Sequence, residues 1–347
     1  MSTLGYNRAQ SLSENPMLLA GDIGGTKTLL GIFSSRETRP LAVRVETFAT
    51  SEFDGLGSMI AEFLARPGLD RDTLEAACFG VAGPVINQVA RLTNVPWAVD
   101  AAEIGQRFSI ARVRLLNDLE AMAHSVPVLE PSELAVLQAG RPVSTGNAAL
   151  IAAGTGLGEA LLHNVGGRLV PSPSEGGHAD FAARTPEEIA LLQTLTRLYG
   201  RVDCERVISG PGLVNIYRAL HPEGCAAVDL GVGPHEAPAA ISRAAMEGRC
   251  PRCVDTLRLF VGAYGAEAGN LALYGLATAG VYVGGGIAPK ILPALESGPF
   301  IDAFRDKAPM ADLLASIPVS VILNPQAGLL GASVHANALA RRQADHL

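Results

Sequence analysis

The fold of this chain is decided by one glycine-rich stretch near its start, Gly21-Asp22-Ile23-Gly24-Gly25-Thr26-Lys27-Thr28. A short apolar run at residues 17–20 precedes it, and a second run at residues 29–33 follows it. The residues after the turn alternate as in a strand and do not show the spacing of a helix. The pattern therefore predicts a β-hairpin closed by a glycine-rich turn.

The side chains of this stretch suit a phosphate group. Gly24 and Gly25 let backbone N–H groups approach phosphate oxygens without a Cβ in the way. Thr26 and Thr28 add hydroxyl donors, and Lys27 can add a positive charge. Asp22 can hold hydrated Mg²⁺, which prefers carboxylate oxygen. The alternative is a structural hairpin turn with a capping aspartate.

Two other phosphate-binding patterns fit poorly. A Walker loop needs a Gly-Lys-Ser/Thr ending, which the stretch lacks, and a dinucleotide-binding fingerprint needs a helix directly after the glycines. The same plan of strand, Gly/Thr turn and strand recurs later, where residues 148–153 precede Gly154-Thr155-Gly156-Leu157-Gly158. Two such turns, one in each of two domains, could face one another across a cleft.

Length and composition restrict the class of protein. A chain of 347 residues exceeds a usual single core, so we expect two domains. The abundance of glycine (38 residues) and the aromatic share of only 5% are typical of an α/β protein with many tight turns. The net charge of -7 offers no basic stripe for a nucleic acid, so we expect no polynucleotide partner.

Five scattered cysteines do not resemble a disulfide framework and favour a reducing compartment. The first 16 residues have no apolar signal core, so we expect a cytoplasmic protein with a short N-terminal extension. An uncharged run at residues 268–289 is long enough to span a bilayer. Its six glycines indicate instead a buried helix end followed by a strand at residues 281–283.

Asp118 is the candidate base. It follows the apolar run at residues 113–116 and Asn117, at the expected end of a buried strand. A carboxylate there could accept a proton from an attacking hydroxyl, or it could be the N-cap of the helix that starts at Leu119. The residues alone leave these two roles equally open.

Taken together, these motifs resemble the bacterial glucokinase family of the actin-like ATPase superfamily. The resemblance covers residues 18–338 in order and rests on several segments: Asp22-Ile23-Gly24-Gly25-Thr26, Leu92-Thr93-Asn94 with Trp97, Asn117-Asp118, Ala153-Gly154-Thr155-Gly156-Leu157-Gly158, Glu175-Gly176-Gly177-His178, Glu205-Arg206-Val207-Ile208-Ser209-Gly210-Pro211-Gly212-Leu213, Gly284-Gly285-Gly286-Ile287, and Asn324-Pro325 with Gly328-Leu329-Leu330-Gly331. Each is weak alone, but their combination is specific.

The resemblance implies an α/β protein of the actin-like (ribonuclease H-like) fold, with two α/β domains around a cleft. The small domain would comprise residues 17–128 and 323–347, and the large domain residues 129–322. ATP and Mg²⁺ would meet the sugar between them. The implied reaction converts glucose and ATP to glucose 6-phosphate and ADP, the first step of glucose use in glycolysis. A homodimer through the large domain is also implied.

The resemblance also assigns roles to residues. Asp118 becomes the general base, and the glucose contacts are Asn117, Asp118, Glu175, His178 and Glu205. The two glycines between Glu175 and His178 would let both side chains converge on one ligand. Asp22 becomes the magnesium ligand. The nucleotide contacts are Gly21, Asp22, Ile23, Gly24, Gly25, Thr26, Lys27, Gly154, Thr155, Gly284, Gly285 and Gly286.

Two positions depart from the family pattern. Lys27 is more typical of the related repressor/ORF/kinase (ROK) family, and Glu159 stands after the second turn where an apolar residue is usual. We expect the Glu159 side chain to face away from the phosphates. The ROK family itself is disfavoured, because its zinc-binding Cys-x-Cys-Gly cluster is missing after His178. The alternatives are a same-fold kinase for mannose or an N-acetylhexosamine, and a non-catalytic sugar sensor.

Cys250-Pro251-Arg252-Cys253 invites a zinc or redox interpretation. No second cysteine pair lies nearby in the sequence, and Pro251 indicates a helix start. We therefore expect these thiols to be structural, with no metal bound.

Overall fold

The computed structural model describes residues 15–67, 73–92, 95–231, 233 and 236–341. Most of the expected N-terminal extension (residues 1–14), as well as Thr93 and Asn94, lie outside the described residues. The chain divides into two compact units. One comprises the described residues up to Leu129 and from Gln326 onward, and the other comprises Glu130–Pro325.

The division lies close to the boundaries expected from the sequence, after residues 128 and 322, but places residues 323–325 in the second unit. The reason is local hydrogen bonding. The N–H of Leu323 donates to the carbonyl of Glu133, and the Asn324 amide donates to the Glu133 carboxylate at 2.7 Å. These residues therefore continue the strand pairing of the second unit.

The first unit is built on a twisted sheet and a small accessory sheet. Its strands are β1 (Met17–Ile23), β2 (Lys27–Ser34), β3 (Leu41–Ala49), β4 (Leu74–Val81), β5 (Val85–Ile86), β6 (Val89–Arg91), β7 (Ala98–Asp100) and β8 (Arg112–Asn117). The main sheet has the order β3-β2-β1-β4-β8, and β5, β6 and β7 form the accessory sheet. β1 to β3 form an antiparallel meander, while β4 and β8 continue parallel to β1.

Both faces of this main sheet are covered, because successive strand residues point to opposite faces. The covering helices are α1 (Leu56–Leu64), α2 (Ala101–Phe108), α3 (Asp118–Ser125) and, from the C-terminus, α11 (Ala327–Arg341). Leu19 and Ile23 of β1 join the core formed with α1 and α2. Leu18 and Ala20 join the core formed with α3 and α11.

The second unit contains the larger core. Its strands are β9 (Leu134–Gln138), β10 (Ala148–Ala153), β11 (Leu157–Val165), β12 (Arg168–Ser174), β13 (Gly280–Gly284) and β14 (Val319–Ile322). Its helices are α4 (Pro186–Tyr199), α5 (Gly210–Leu220), α6 (Glu236–Met246), α7 (Pro251–Gly275), α8 (Leu292–Glu296), α9 (Pro299–Arg305) and α10 (Ala311–Ser316). The sheet order is β12-β11-β10-β13-β14-β9.

The two units repeat one topology. β10, β11 and β12 form an antiparallel meander like that of β1, β2 and β3, and β13 and β14 continue parallel to β10 as β4 and β8 continue parallel to β1. Each meander opens with a hairpin that carries one Gly/Thr turn. The repeated strand, turn and strand pattern expected from the sequence is therefore confirmed in the pairing of the sheets.

The uncharged run at residues 268–289 is divided between two elements. Its first part ends the buried helix α7, and its later part contains β13. Nowhere in the described residues is a helix both long and apolar enough to cross a bilayer. The interpretation as a helix end followed by a strand is confirmed.

Candidate active site

The first Gly/Thr turn joins β1 to β2, where Ile23 pairs with Thr28. The N–H of Gly24 donates to the carbonyl of Lys27 at 3.1 Å, and Thr50 donates its hydroxyl to the carbonyl of Gly24 at 2.8 Å. Within the described residues, the N–H groups of Gly25 and Thr26 make no hydrogen bond. They are donors available to an anion, as phosphate binding at such a turn requires.

Two carboxylates lie at one edge of the main sheet of the first unit. β1, β4 and β8 are parallel, so their carboxyl ends meet at the same edge. Asp22 is at the end of β1, and Asp118 directly follows β8. Burial and, to a smaller extent, the nearby charge of Asp118 together raise the pKa of Asp22 to about 6, although Lys27 opposes them. Asp22 and Asp118 are therefore electrostatic neighbours.

Helix α3 holds Asp118 in this position. β4 lies between β1 and β8 and contains Gly80. A Cβ on Gly80 would lie only 2.7 Å from the Cβ of Ala121 in α3. Gly80 therefore lets the first turn of α3 pack closely against β4. The N-cap of α3 is Asn117, whose Oδ1 accepts the N–H of Leu119 at 2.9 Å. The Oδ1 atom of Asp118 accepts the same N–H at 2.8 Å, so Asp118 shares this capping contact with Asn117.

The second Gly/Thr turn joins β10 to β11 and is held from two sides. The N–H of Gly154 donates to the carbonyl of Gly156 at 2.8 Å, and the N–H of Gly210 donates to the carbonyl of Gly154 at 2.8 Å. The N–H of Leu157 donates to the carboxylate of Glu205 at 3.0 Å. Among the described residues, the N–H of Thr155 has no hydrogen-bond partner and is available to a ligand.

The candidate sugar residues of the second unit lie beside this turn. Glu175 precedes a single 3₁₀ turn, Gly176–His178, and both Glu175 and His178 are exposed. The Nδ1 atom of His178 is 3.2 Å from the carboxylate of Asp203. Glu205 joins the two features, because its N–H donates to the carbonyl of Gly177 at 2.9 Å while its carboxylate accepts from the second Gly/Thr turn. The structure thus brings Glu175, His178 and Glu205 into one region.

A cavity of about 390 Å³ opens next to the second turn in the same unit. It is lined by Gly154, Thr155, Gly210, Pro211, Leu213, Pro238, Ala239, Ser242, Leu257, Phe260, Gly286, Ile287, Lys290 and Ile291. Three of the residues expected to contact nucleotide (Gly154, Thr155 and Gly286) are among them. Gly284 ends β13, and Gly285 lies against β10 with φ of +83°, so neither lines the cavity.

Glu159 is buried and lies against the turn that follows Glu175. On β11 it pairs with Ser174, and its carboxylate fills the space where a Cβ on Gly176 would lie. Burial and, to a smaller extent, the neighbouring charge of Glu267 together raise the pKa of Glu159 to about 8. The neutral, protonated form of this side chain therefore predominates at pH 7.

The family is settled by comparison with known proteins. The sequence model of the glucokinase family matches residues 19–339. The chain belongs to the glucokinase family. A glucokinase of Trichormus variabilis is 42% identical over 336 residues, which cover 92% of this chain and 98% of that protein. A glucokinase of Synechocystis sp. is 41% identical over 342 residues, which cover 91% of this chain and 96% of that protein.

The fold is also that of the glucokinase family. The crystal structure of a glucokinase from an Antarctic psychrotroph superposes with a TM-score of 0.82 at 30% identity, covering 93% of this chain and 99% of that one. The expected fold class, α/β of the actin-like ATPase type, is confirmed by this similarity and by the repeated sheet topology.

Four residues in the region of the candidate site were missed by sequence reasoning or given no role: Glu159, Asp203, Ser242 and Lys290. Asp203 stands two positions before Glu205, and this closeness in sequence could have suggested it. Glu159 was noted only as a departure. Nothing in the sequence indicates Ser242 or Lys290, because they reach the cavity from α6 and from the segment after β13.

Proposed function

We propose that this chain transfers the terminal phosphoryl group of ATP to the 6-hydroxyl of glucose, forming glucose 6-phosphate and ADP. Membership of the glucokinase family is the observation that carries the proposal. It is supported by two Gly/Thr turns whose N–H groups lack hydrogen-bond partners among the described residues, and by the carboxylates of Asp22 and Asp118 near the first turn.

Asp118 acts as the general base in this proposal. It accepts the proton of the 6-hydroxyl while the sugar oxygen forms a bond to the terminal phosphorus and the bond from phosphorus to the ADP oxygen breaks. Its position after β8 is set by the cap at Asn117 and the close packing at Gly80. Positioning and charge neutralisation supply most of the acceleration in phosphoryl transfer, so a fixed carboxylate is what the chemistry needs.

The residues present fit a magnesium ion. Asp22 supplies hard carboxylate oxygens, and burial together with the charge of Asp118 raises its pKa, so its ionised form is disfavoured relative to a carboxylate in water. A divalent cation would relieve this penalty. Asp22 would hold Mg²⁺, which when bound neutralises the phosphate charge.

The ATP phosphates are bound by the two turns, in this proposal. Gly25 and Thr26 donate from the first turn, with Lys27 exposed beside them. Thr155 donates from the second turn. The adjoining cavity of about 390 Å³ is mainly apolar, with Ser242 and Lys290 as polar contacts, and takes the adenosine.

Glucose is bound by Asn117, Asp118, Glu175, His178 and Glu205, in this proposal. Carboxylates suit neighbouring sugar hydroxyls because each can accept two or more hydrogen bonds. Glu205 is held by the backbone on one side and reaches the second turn on the other. In this proposal Glu205 therefore contacts glucose and supports the turn that binds the phosphates.

A coupled assay of ADP release across hexoses tests the proposal. Glucose should give the highest kcat/KM, with mannose and N-acetylglucosamine well below it. Faster turnover of one of those sugars would make the chain a kinase of another hexose. Tight sugar binding without ADP release would make it a sensor, although retention of both Asp22 and Asp118 speaks against a sensor.

A further inference from the structure

Three cysteines that are distant in sequence meet in the second unit. Cys225 lies in the loop after α5, Cys250 directly precedes α7, and Cys253 lies in the first turn of α7. Their Sγ atoms all lie within 4.8 Å of one another. No second cysteine pair lies near Cys250 and Cys253 in the sequence, but the single Cys225 joins them in the structure because the loop after α5 packs against the start of α7.

The spacing of the sulfur atoms fits a shared metal ion. The Sγ atoms of Cys225 and Cys253 are 4.0 Å apart, about twice the roughly 2.05 Å of a disulfide. Two thiolates bound to zinc at about 2.3 Å in tetrahedral geometry lie about 3.8 Å apart. The cluster therefore has the dimensions of a zinc site.

A candidate for the fourth ligand, His221, stands four residues before Cys225 in the chain. Its ring nitrogens are not among the atoms that lie within 4.8 Å of one another, so its side chain would turn toward the thiols when the ion binds. The Nε2 atom of His221 is buried, and it has no hydrogen-bond partner among the described residues. The neighbouring Tyr217 hydroxyl is likewise buried and lacks a hydrogen bond of good geometry, although it lies against the thiol of Cys225. Buried polar atoms without partners are rare in folded proteins. Of the five such atoms in the described residues, the Tyr217 hydroxyl lies at this cluster and His221 Nε2 belongs to the residue four positions before Cys225.

The order of these residues along the chain matches a structural zinc site. His221 and Cys225 are separated by three residues, and Cys250 and Cys253 by two, which are ligand spacings that such sites use. The loop that carries the first pair is already tied to the helix that carries the second, because the Arg252 guanidinium donates to the carbonyl of Gly224.

We propose that Cys225, Cys250, Cys253 and His221 hold one structural zinc ion. With four protein ligands the ion has no open position, so it is not catalytic. It fixes the end of α5 to the start of α7. Because both helices line the cavity proposed for adenosine, zinc also stabilises the walls of the nucleotide site.

Metal analysis of the full chain, purified without a metal-affinity resin, tests the proposal. We expect one zinc per chain, and its replacement by cobalt should give the absorption band of thiolate-bound cobalt. The double variant Cys250→Ser/Cys253→Ser should lose the zinc. Cys78→Ala, which changes a cysteine of the first unit, should keep it. The wild-type protein answers the question even if the double variant fails to fold.

Several results would overturn the proposal. Purified wild-type protein without zinc, unable to take up zinc or cobalt and with five titratable thiols, would show that the cluster is not a metal site. A Cys225–Cys253 disulfide, detected by mass spectrometry, would show a redox pair instead. His221→Ala should bind zinc at least about tenfold more weakly, and the exposed His163→Ala should not; equal affinity in both would remove His221 from the ligand set.

Discussion

Asp118 is the residue on which the proposed chemistry depends most. Asp118→Asn keeps the shape of the side chain and its acceptor for the Leu119 N–H but removes the proton acceptor. We expect turnover to fall by roughly a hundredfold to ten-thousandfold, with a much smaller effect on glucose affinity. Steady-state kinetics and calorimetric titration with glucose measure the two quantities. Glu120→Gln, on the same helix, is the control, and near-normal turnover of Asp118→Asn would reject the assignment.

The family resemblance assigns both Glu175 and Glu205 to glucose, but their surroundings in the structure differ. The carboxylate of Glu205 also accepts the N–H of Leu157 in the second turn, whereas Glu175 is exposed. Glu205→Ala should therefore weaken both glucose and nucleotide binding, and Glu175→Ala should weaken glucose alone. A lost hydrogen bond to a charged group costs about 1.5–3 kcal/mol, or roughly ten- to 150-fold in affinity.

Titration of each variant with glucose and with a non-hydrolysable ATP analogue measures these effects. If Glu205→Ala binds the ATP analogue as tightly as the wild-type protein, the carboxylate does not support the second turn. If Glu175→Ala binds glucose normally, Glu175 is not a sugar contact.

The buried Glu159 makes stability depend on pH. Its pKa is about 8 in the folded chain against an ordinary 4.5, so between these values the folded state binds the extra proton. Stability therefore falls as pH rises from about 4.5 to about 8, and the loss is complete above that range. Glu159→Gln is neutral at every pH and should show a shallower decline and greater stability at pH 9 than the wild-type protein.

Urea unfolding at pH values from 5 to 9 measures this effect. Since one pKa unit corresponds to about 1.4 kcal/mol, the difference between the two proteins should be on the order of a few kcal/mol at the alkaline end. The exposed Glu62→Gln serves as the control. Parallel pH profiles for Glu159→Gln and the wild-type protein would contradict the assigned pKa.

At the scale of elements, the turn after β13 contains two glycines, Gly285 and Gly286, for which we expect different roles. Gly285 has φ of +83°, and a Cβ there would collide with the carbonyl of Ala153 on β10. Gly285→Ala should therefore destabilise the fold by about 1–2 kcal/mol from the backbone conformation alone, with the collision adding to it. Thermal and urea unfolding measure this loss.

Gly286→Ala is the matched comparison. A Cβ on Gly286 meets no atom within 4 Å, and the residue borders the cavity. This variant should keep its stability but bind the ATP analogue more weakly, because the new methyl group enters the space proposed for adenosine. Equal destabilisation of both variants would contradict the assignment of a structural role to Gly285 and a nucleotide-binding role to Gly286.

At the scale of the whole molecule, the homodimer implied by the family resemblance stays a prediction. Size-exclusion chromatography with light scattering should give twice the chain mass across the micromolar range, since obligate interfaces do not dissociate on moderate dilution. A mass equal to one chain at all concentrations would contradict it. The cytoplasmic location likewise stays a prediction.

Much of the fold could be read from periodicity and turn residues. The hairpin at the first turn, the strands on either side of the second turn and the long helix α7 all appear where the pattern indicates them. The accessory sheet of β5, β6 and β7 was not predicted from the sequence. Its strands are two or three residues long, which is too short to show an alternating pattern. The C-terminal α11 was expected only as a segment of its domain.

The local pattern of the sequence was sufficient to predict the two Gly/Thr turns and the strand end before Asp118, because each lies within one short segment. The roles of Asp118, Glu175 and His178 were predicted from the family resemblance. The contact of Glu205 with Leu157, the cavity lined by Lys290 and Ser242, the buried proton of Glu159 and the meeting of Cys225 with Cys250 and Cys253 join segments far apart along the chain. These features depend on how the strands and helices pack. Burial and interatomic distance set pKa values and ligand geometry, and both are determined only by that packing.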